Sequence, residues 1–116
     1  MTDRELLTLA AKAAGINTII WTESPRSKGQ TAGCIWNGVG HGDTAELWNP
    51  LTDDGDALRL AVKIGRSRTL QLVVGVGGAD CQFDHPLVTA FESGDDPYAA
   101  TRRAIVRAAA EIGRKM

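Results

Sequence analysis

Cysteine, aromatic residues and surplus charge are all scarce in this chain. Two cysteines in 116 residues cannot build the disulfide framework of a small secreted domain. Thirteen basic and fourteen acidic side chains leave a formal net charge of −1, which excludes a polycationic chain that holds nucleic acid by overall charge. Long apolar runs are missing as well. The most apolar stretch, Leu70 to Val76, is interrupted by Gln71 and falls far below the roughly 20 residues that span a bilayer. The opening Thr2-Asp3-Arg4-Glu5 leads into a broken apolar pattern, not the basic start and continuous apolar stretch of a signal peptide. The expectation is therefore a protein with no membrane association, located in the cytoplasm with its thiols reduced.

What is present fits an ordinary globular domain. Hydrophobic residues make up 43% and charged residues 23%, which excludes a disordered, collagen-like or coiled-coil chain. Residues 1–116 form one domain, long enough to bury roughly 65% of the unfolded surface around a single core. There is no internal repeat, low-complexity tract or linker.

Three helices are signalled. Thr2 and Glu5 have capping-box spacing, Leu6, Leu9, Ala10 and Ala13 recur at helical spacing, and Gly15 is a natural stop. A second helix is expected to start at Thr52 as N-cap, with Asp53, Asp54 and Asp56 complementing the helix dipole. Leu58, Ala61 and Val62 are its expected buried stripe, and Gly65 ends it. A glycine in its first turn, Gly55, costs about 1 kcal/mol relative to alanine; a close approach over that turn would account for it, with Trp48 the nearest candidate. The last helix opens on Asp96 as N-cap and Pro97 at the first helical position. Tyr98, Thr101, Ile105, Ala108 and Ile112 line one face, and Arg103, Arg107 and Arg114 fall within an arc of about 40° on the opposite one.

Strands are expected at Thr18–Trp21 and Gly33–Trp36, separated by an aperiodic loop from Thr22 to Thr31 and followed by a glycine-rich loop from Asn37 to Asp43. The clearest sheet signal is a hairpin turning at Gly77-Gly78. That turn sets Val76 opposite Ala79, Val74 opposite Cys81 and Leu72 opposite Phe83, all on one apolar face. Gln71, Gln82, Asp80 and Asp84 fall on the other face, which suits a solvated sheet. Pro86–Gly94 reads equally as a short strand or an ordered loop. The element order α-β-β-α-β-β-α, with hairpin-joined neighbours, predicts an α+β fold with a largely antiparallel sheet and three helices.

Two segments carry a family resemblance. Trp48–Ala61, reading WNPLTDDGDALRLA, resembles the signature of the phage ABA-sandwich domain, a family of small phage and prophage proteins, and Asp96–Ala109, reading DPYAATRRAIVRAA, resembles that family's final helix. With the first helix, the likeness covers most of the chain. It implies a three-layer α/β/α sandwich and a bacterial host, and it implies no activity, catalytic residue or cofactor.

Cys34, Cys81, His41 and His85 lack metal-site spacing and would have to converge from distant segments to bind zinc; Cys81 is expected to pack in the core. His41 and Asp43 could pair as base and orienting carboxylate, but Ser24, Ser27, Ser67 and Ser93 all lack a nucleophile's turn context. Neither Gly38–Gly42 nor Gly75–Gly78 carries a phosphate-loop signature, and Asp53, Asp54 and Asp56 read as dipole complements before they read as a cation site. No catalytic residue, cofactor or metal is therefore expected.

Charge is split unevenly along the chain. Four basic and eight acidic residues precede position 59, and nine basic and six acidic residues occupy the rest. Arg103, Arg107 and Arg114, with Lys115, Arg66 and Arg68, could gather into a phosphate-binding face, though a solvated helix face is the simpler account. Tryptophan is usually buried yet enriched at interfaces, which makes Trp36 and Trp48, beside His41 and Asp43, the candidate partner surface. The expected function is that of a phage or prophage accessory protein binding a phage or host protein, with homo-oligomer formation open. The alternative is a nucleic-acid-binding module using the basic face of the last helix.

Overall fold

The computed structural model describes residues 2–16, 19–23, 31–35, 46–84 and 87–116, with backbone alone for 19–23, 31–35 and 46–47. The chain runs α1 (Asp3–Ala13), β1 (Ile19–Glu23), β2 (Thr31–Ile35), β3 (Glu46–Trp48), α2 (Asp54–Gly65), β4 (Leu70–Gly75), β5 (Gly78–Phe83), β6 (Val88–Ser93) and α3 (Pro97–Lys115). The strands form two antiparallel three-stranded sheets, ordered β1-β2-β3 and β4-β5-β6. The α+β class, three helices and antiparallel pairing are as expected.

The order differs from α-β-β-α-β-β-α by two strands. β3 has three residues, too few to show alternation. In β6 the inward Val88 and Ala90 alternate with Thr89 and Phe91, and the outward phenylalanine hides the period-2 pattern.

Local chemistry fixes the helix starts. Thr2 and Glu5 form the full capping box, with Thr2 N–H donating to Glu5 at 2.9 Å and Glu5 N–H to Thr2 Oγ1 at 3.2 Å. Gly15 ends α1 with φ +75°. Asp96 Oδ1 accepts the N–H groups of Tyr98 and Ala99 to open α3.

At α2 the cap is Asp53, one residue later than the expected Thr52. Its carboxylate accepts the Asp56 N–H at 2.8 Å, while Thr52 belongs to the turn before it. There Asn49 Oδ1 accepts the Leu51 N–H, and the Asn49 carbonyl accepts the N–H groups of Thr52 and Asp53. Asp56 Oδ2 then takes the Asn49 N–H at 3.0 Å, tying the turn to the helix. A Cβ at Gly55 would meet the Arg59 guanidinium at 3.2 Å and the Asp53 carboxylate at 3.3 Å, so these groups, rather than Trp48, come nearest to that turn.

The β4–β5 hairpin turns at Val76-Gly77, one residue earlier than expected. Gly75 pairs with Gly78, Val74 with Ala79, Leu72 with Cys81 and Leu70 with Phe83. Gly77 supplies φ +86°, the positive φ a tight turn requires. Gly78 is needed inside the ladder, because a Cβ there would lie 2.6 Å from the Glu92 carbonyl oxygen. The pairing has slipped by two residues relative to expectation, and an even slip leaves every side chain on its face. Val76 leaves the ladder for the fully exposed tip.

α3 lies on the face of β4-β5-β6 that carries Ala79, Cys81, Phe83, Val88 and Ala90, all buried. α1 packs along α3, and α2 flanks α3 above β4. The described residues thus form helices on one side of this sheet. The third layer implied by the resemblance has no counterpart among them, and Gln71, Val73, Thr89 and Phe91 on the second face are exposed. That face mixes polar Gln71 and Thr89 with exposed Val73 and Phe91, so it lacks the continuous apolar surface on which a helix layer packs.

The α1–α3 contact is tight. A Cβ at Gly113 would lie 2.0 Å from the Leu9 carbonyl oxygen, whereas at Gly75 it would meet nothing within 4 Å. Gly113→Ala is therefore expected to cost about 1–3 kcal/mol by overpacking, with Gly75→Ala near neutral as its control. Urea denaturation of the two variants checks this.

Candidate functional site

α2 is apolar over a wider arc than the core covers. Its buried residues are Ala57, Leu60, Ala61 and Ile64, beside Asp56. Leu58 and Val62, expected in the buried stripe, are 62% and 53% exposed. Both residue sets have helical spacing, and packing against alanine-rich α3 selects the side with Ala57 and Ala61. Leu58 and Val62, four residues apart, are left on the flank.

That flank borders an open groove of about 550 Å³ between α2, β4 and α3. Leu58, Leu72, Val74, Tyr98 and Ile105 line it, and Val74 and Tyr98 are 51% and 67% exposed. Two charged residues also line the groove, Asp54 and Arg102, and they pair with each other at 2.6 Å. Arg102 also donates from Nε to the Leu51 carbonyl at 2.9 Å. The groove therefore presents hydrocarbon rather than an unpaired charge. Sequence reasoning misses it because the spacing of Leu58, Ala61 and Val62 reads as a buried stripe, and the apolar face that carries Leu72 and Val74 gives no sign of where its cover ends.

The three acidic residues at the start of α2 are spent on structure. Asp53 caps the helix, Asp54 holds Arg102, and Asp56 holds the Asn49 N–H and Arg59, the latter at 2.7 Å. Among the described residues no group of three His, Cys, Asp or Glu is arranged to hold a metal ion, and no helix is long and apolar enough to cross a membrane.

The arginines of α3 do share the open strip of that helix, as their spacing predicts, but their charge is engaged. Arg103 meets Asp3 at 3.1 Å and Glu92 at 3.6 Å, Arg107 meets Glu92 at 2.6 Å, and Arg114 pairs with Glu111. The Arg114 hydrogen bond holds the Glu111 carboxyl below its usual range. Arg66 caps α2, and Arg68 follows in the turn to β4.

Of the candidate partner residues, Trp48 is 6% exposed and part of the core. Its indole is apolar filling within the core cluster, which removes it from the surface. Trp36, His41 and Asp43 lie outside the described residues, as do His85, the Asn37–Asp43 loop and most of the Thr22–Thr31 loop.

Cys81 is a free, buried thiol on the inner face of β5. Burial, and secondarily the Asp80 carboxylate, push it up from 9.0 to about 12. Protonated Cys81 is thus favoured in the fold, and its contribution to stability is present below about pH 9 and lost as pH rises toward 12. Alkaline denaturation in that window is expected to be less steep for Cys81→Ala. In the native protein at pH 8, peptide-resolved alkylation should leave Cys81 unmodified.

No family model matches the chain, and no curated protein or solved structure matches it significantly.

Proposed function

We propose that this chain is a small phage or prophage accessory protein that works by binding protein in the cytoplasm of a bacterial host. The resemblance of Trp48–Ala61 and Asp96–Ala109 to the phage ABA-sandwich family supports the context. One observation carries the mode of action: the uncovered apolar surface made by Leu58, Val62, Leu72, Val74 and Tyr98. Contiguous apolar surface of this kind marks a protein contact in folded proteins. Its central groove falls within the size range of binding clefts, yet its charged groups are already paired, which favours an apolar protein surface over a charged ligand. The engaged arginines of α3 weigh against the alternative of nucleic-acid binding.

Leu58→Asp tests the reading. The side chain is exposed and near the start of α2, so stability should change by no more than about 0.5 kcal/mol. Tagged wild-type and Leu58→Asp baits would be compared in affinity capture from host lysate containing untagged chain. A protein retained by wild type and depleted at least tenfold with the variant is the expected result. Identical retention by both baits would overturn the assignment of this surface.

A further inference from the structure

β4 is an edge strand. Among the described residues its ladder partner is β5 alone, and Gln71 to Gly75 are all exposed. Natural edge strands are blunted by lysine, proline, bulges or a covering element. The sequence Leu70-Gln71-Leu72-Val73-Val74-Gly75 has no charge and no proline, and it pairs with β5 without a bulge.

We propose that the partner of this edge is the β4 strand of a second copy of the chain, in an antiparallel, two-fold symmetric dimer whose sheet continues through both subunits. This rests on reading the neighbouring apolar surface as a protein-binding one, and it names the occupant. Three observations select a second copy.

The first is backbone complementarity. In the two-residue turn Gly75 and Gly78 form the hydrogen-bonded pair. Antiparallel alternation then directs Val73 and Gln71 toward β5 and leaves the N–H and C=O groups of Leu72 and Val74 pointing outward. An antiparallel copy of the same strand presents the same spacing.

The second is charge. Two uncharged strands meet without the repulsion that like charges opposite one another bring to a sheet. Self-pairing is therefore open to this edge, where a lysine would forbid it.

The third is the side-chain pattern. A two-fold axis normal to the sheet keeps the helix-side faces together, so Leu72 and Val74 of one subunit lie beside those of the other. Leu72 and Val74 also line the groove beside Leu58. One operation thus pairs the edge and extends the apolar row at the groove's margin, the same patch serving both subunits as a self-complementary interface requires.

Sedimentation equilibrium of the full chain, together with residue-resolved hydrogen exchange, tests the proposal. Wild type should sediment at twice the 12.3 kDa chain mass, with slow exchange at the Leu72 and Val74 amides. Val74→Lys should sediment as a monomer, keep its circular dichroism, and exchange those amides at least tenfold faster. Should Val74→Lys fail to unfold cooperatively, Val73→Lys, on the opposite face of the same edge, replaces it with the same expectation. A monomeric wild type at about 100 µM, or a dimer with unprotected Leu72 and Val74 amides, overturns the self-pairing. If a monomeric wild type still loses a captured partner on Leu58→Asp, the surface binds protein and the second copy is not its occupant.

Discussion

The close seating of α3 is the constraint on which the rest of the structure depends. Its buried residues, Ala100, Ala104, Ile105, Val106, Ala108, Ala109, Ala110, Ile112 and Gly113, sweep roughly 280° around the axis at 100° per residue. A helix covered so far round can meet a sheet, a second helix and a third only if its side chains are short. Five alanines and Gly113 provide this. At Gly113 the backbone of α1 comes so near that no side chain fits. The remaining strip holds Arg103, Arg107 and Arg114, and two of these reach across to Asp3 on α1 and Glu92 on β6. The open strip thus also fastens the neighbours that the alanines admit.

A helix of small side chains settles how α2 can lie. Ala57, Leu60, Ala61 and Ile64 are buried in the core as α2 packs on α3, and Leu58 and Val62 are turned out of it. The apolar arc of α2 is wider than the surface α3 and β4 can cover, and the excess lies beside the exposed side of β4. The exposed apolar groups are therefore concentrated where the covered part of the fold ends. On the second face of the same sheet, Gln71, Gln82 and Thr89 interrupt the apolar residues, so no comparable stripe forms there.

Features set by neighbours in sequence were legible before the structure. The Thr2–Glu5 box, the Gly15 stop, and Asp96 with Pro97 each follow from groups within four residues of one another. So did the faces of the hairpin, because face is a parity of position. Register was not legible, since Gly77-Gly78 and Val76-Gly77 are both credible turns, and the close packing of Gly78 under the Glu92 carbonyl that separates them comes from β6. The orientation of α2 was hidden for the same reason. Leu58, Ala61 and Val62 form as good a stripe as Ala57, Leu60, Ala61 and Ile64 until α3 demands small partners. The Asp53 cap was missed because Thr52 and Asp53 are both good caps, and the choice is made by Asn49, whose carbonyl draws Thr52 into the preceding turn.

The candidate site depends on how far cover extends. The apolar face of the hairpin is legible in the sequence, but the width of it that helices reach is not. α3 is one helix lying mainly over β5 and β6, and with interaxial and intersheet spacings near 10 Å a single helix covers about two strands. A third strand needs a second helix, and α2 meets only part of β4. An apolar strand at the margin of a two-layer fold is then half covered by geometry, whatever its sequence. In β4 the sequence adds no lysine or proline to compensate, so both the side chains and the backbone of that margin are left ready to be matched by another strand.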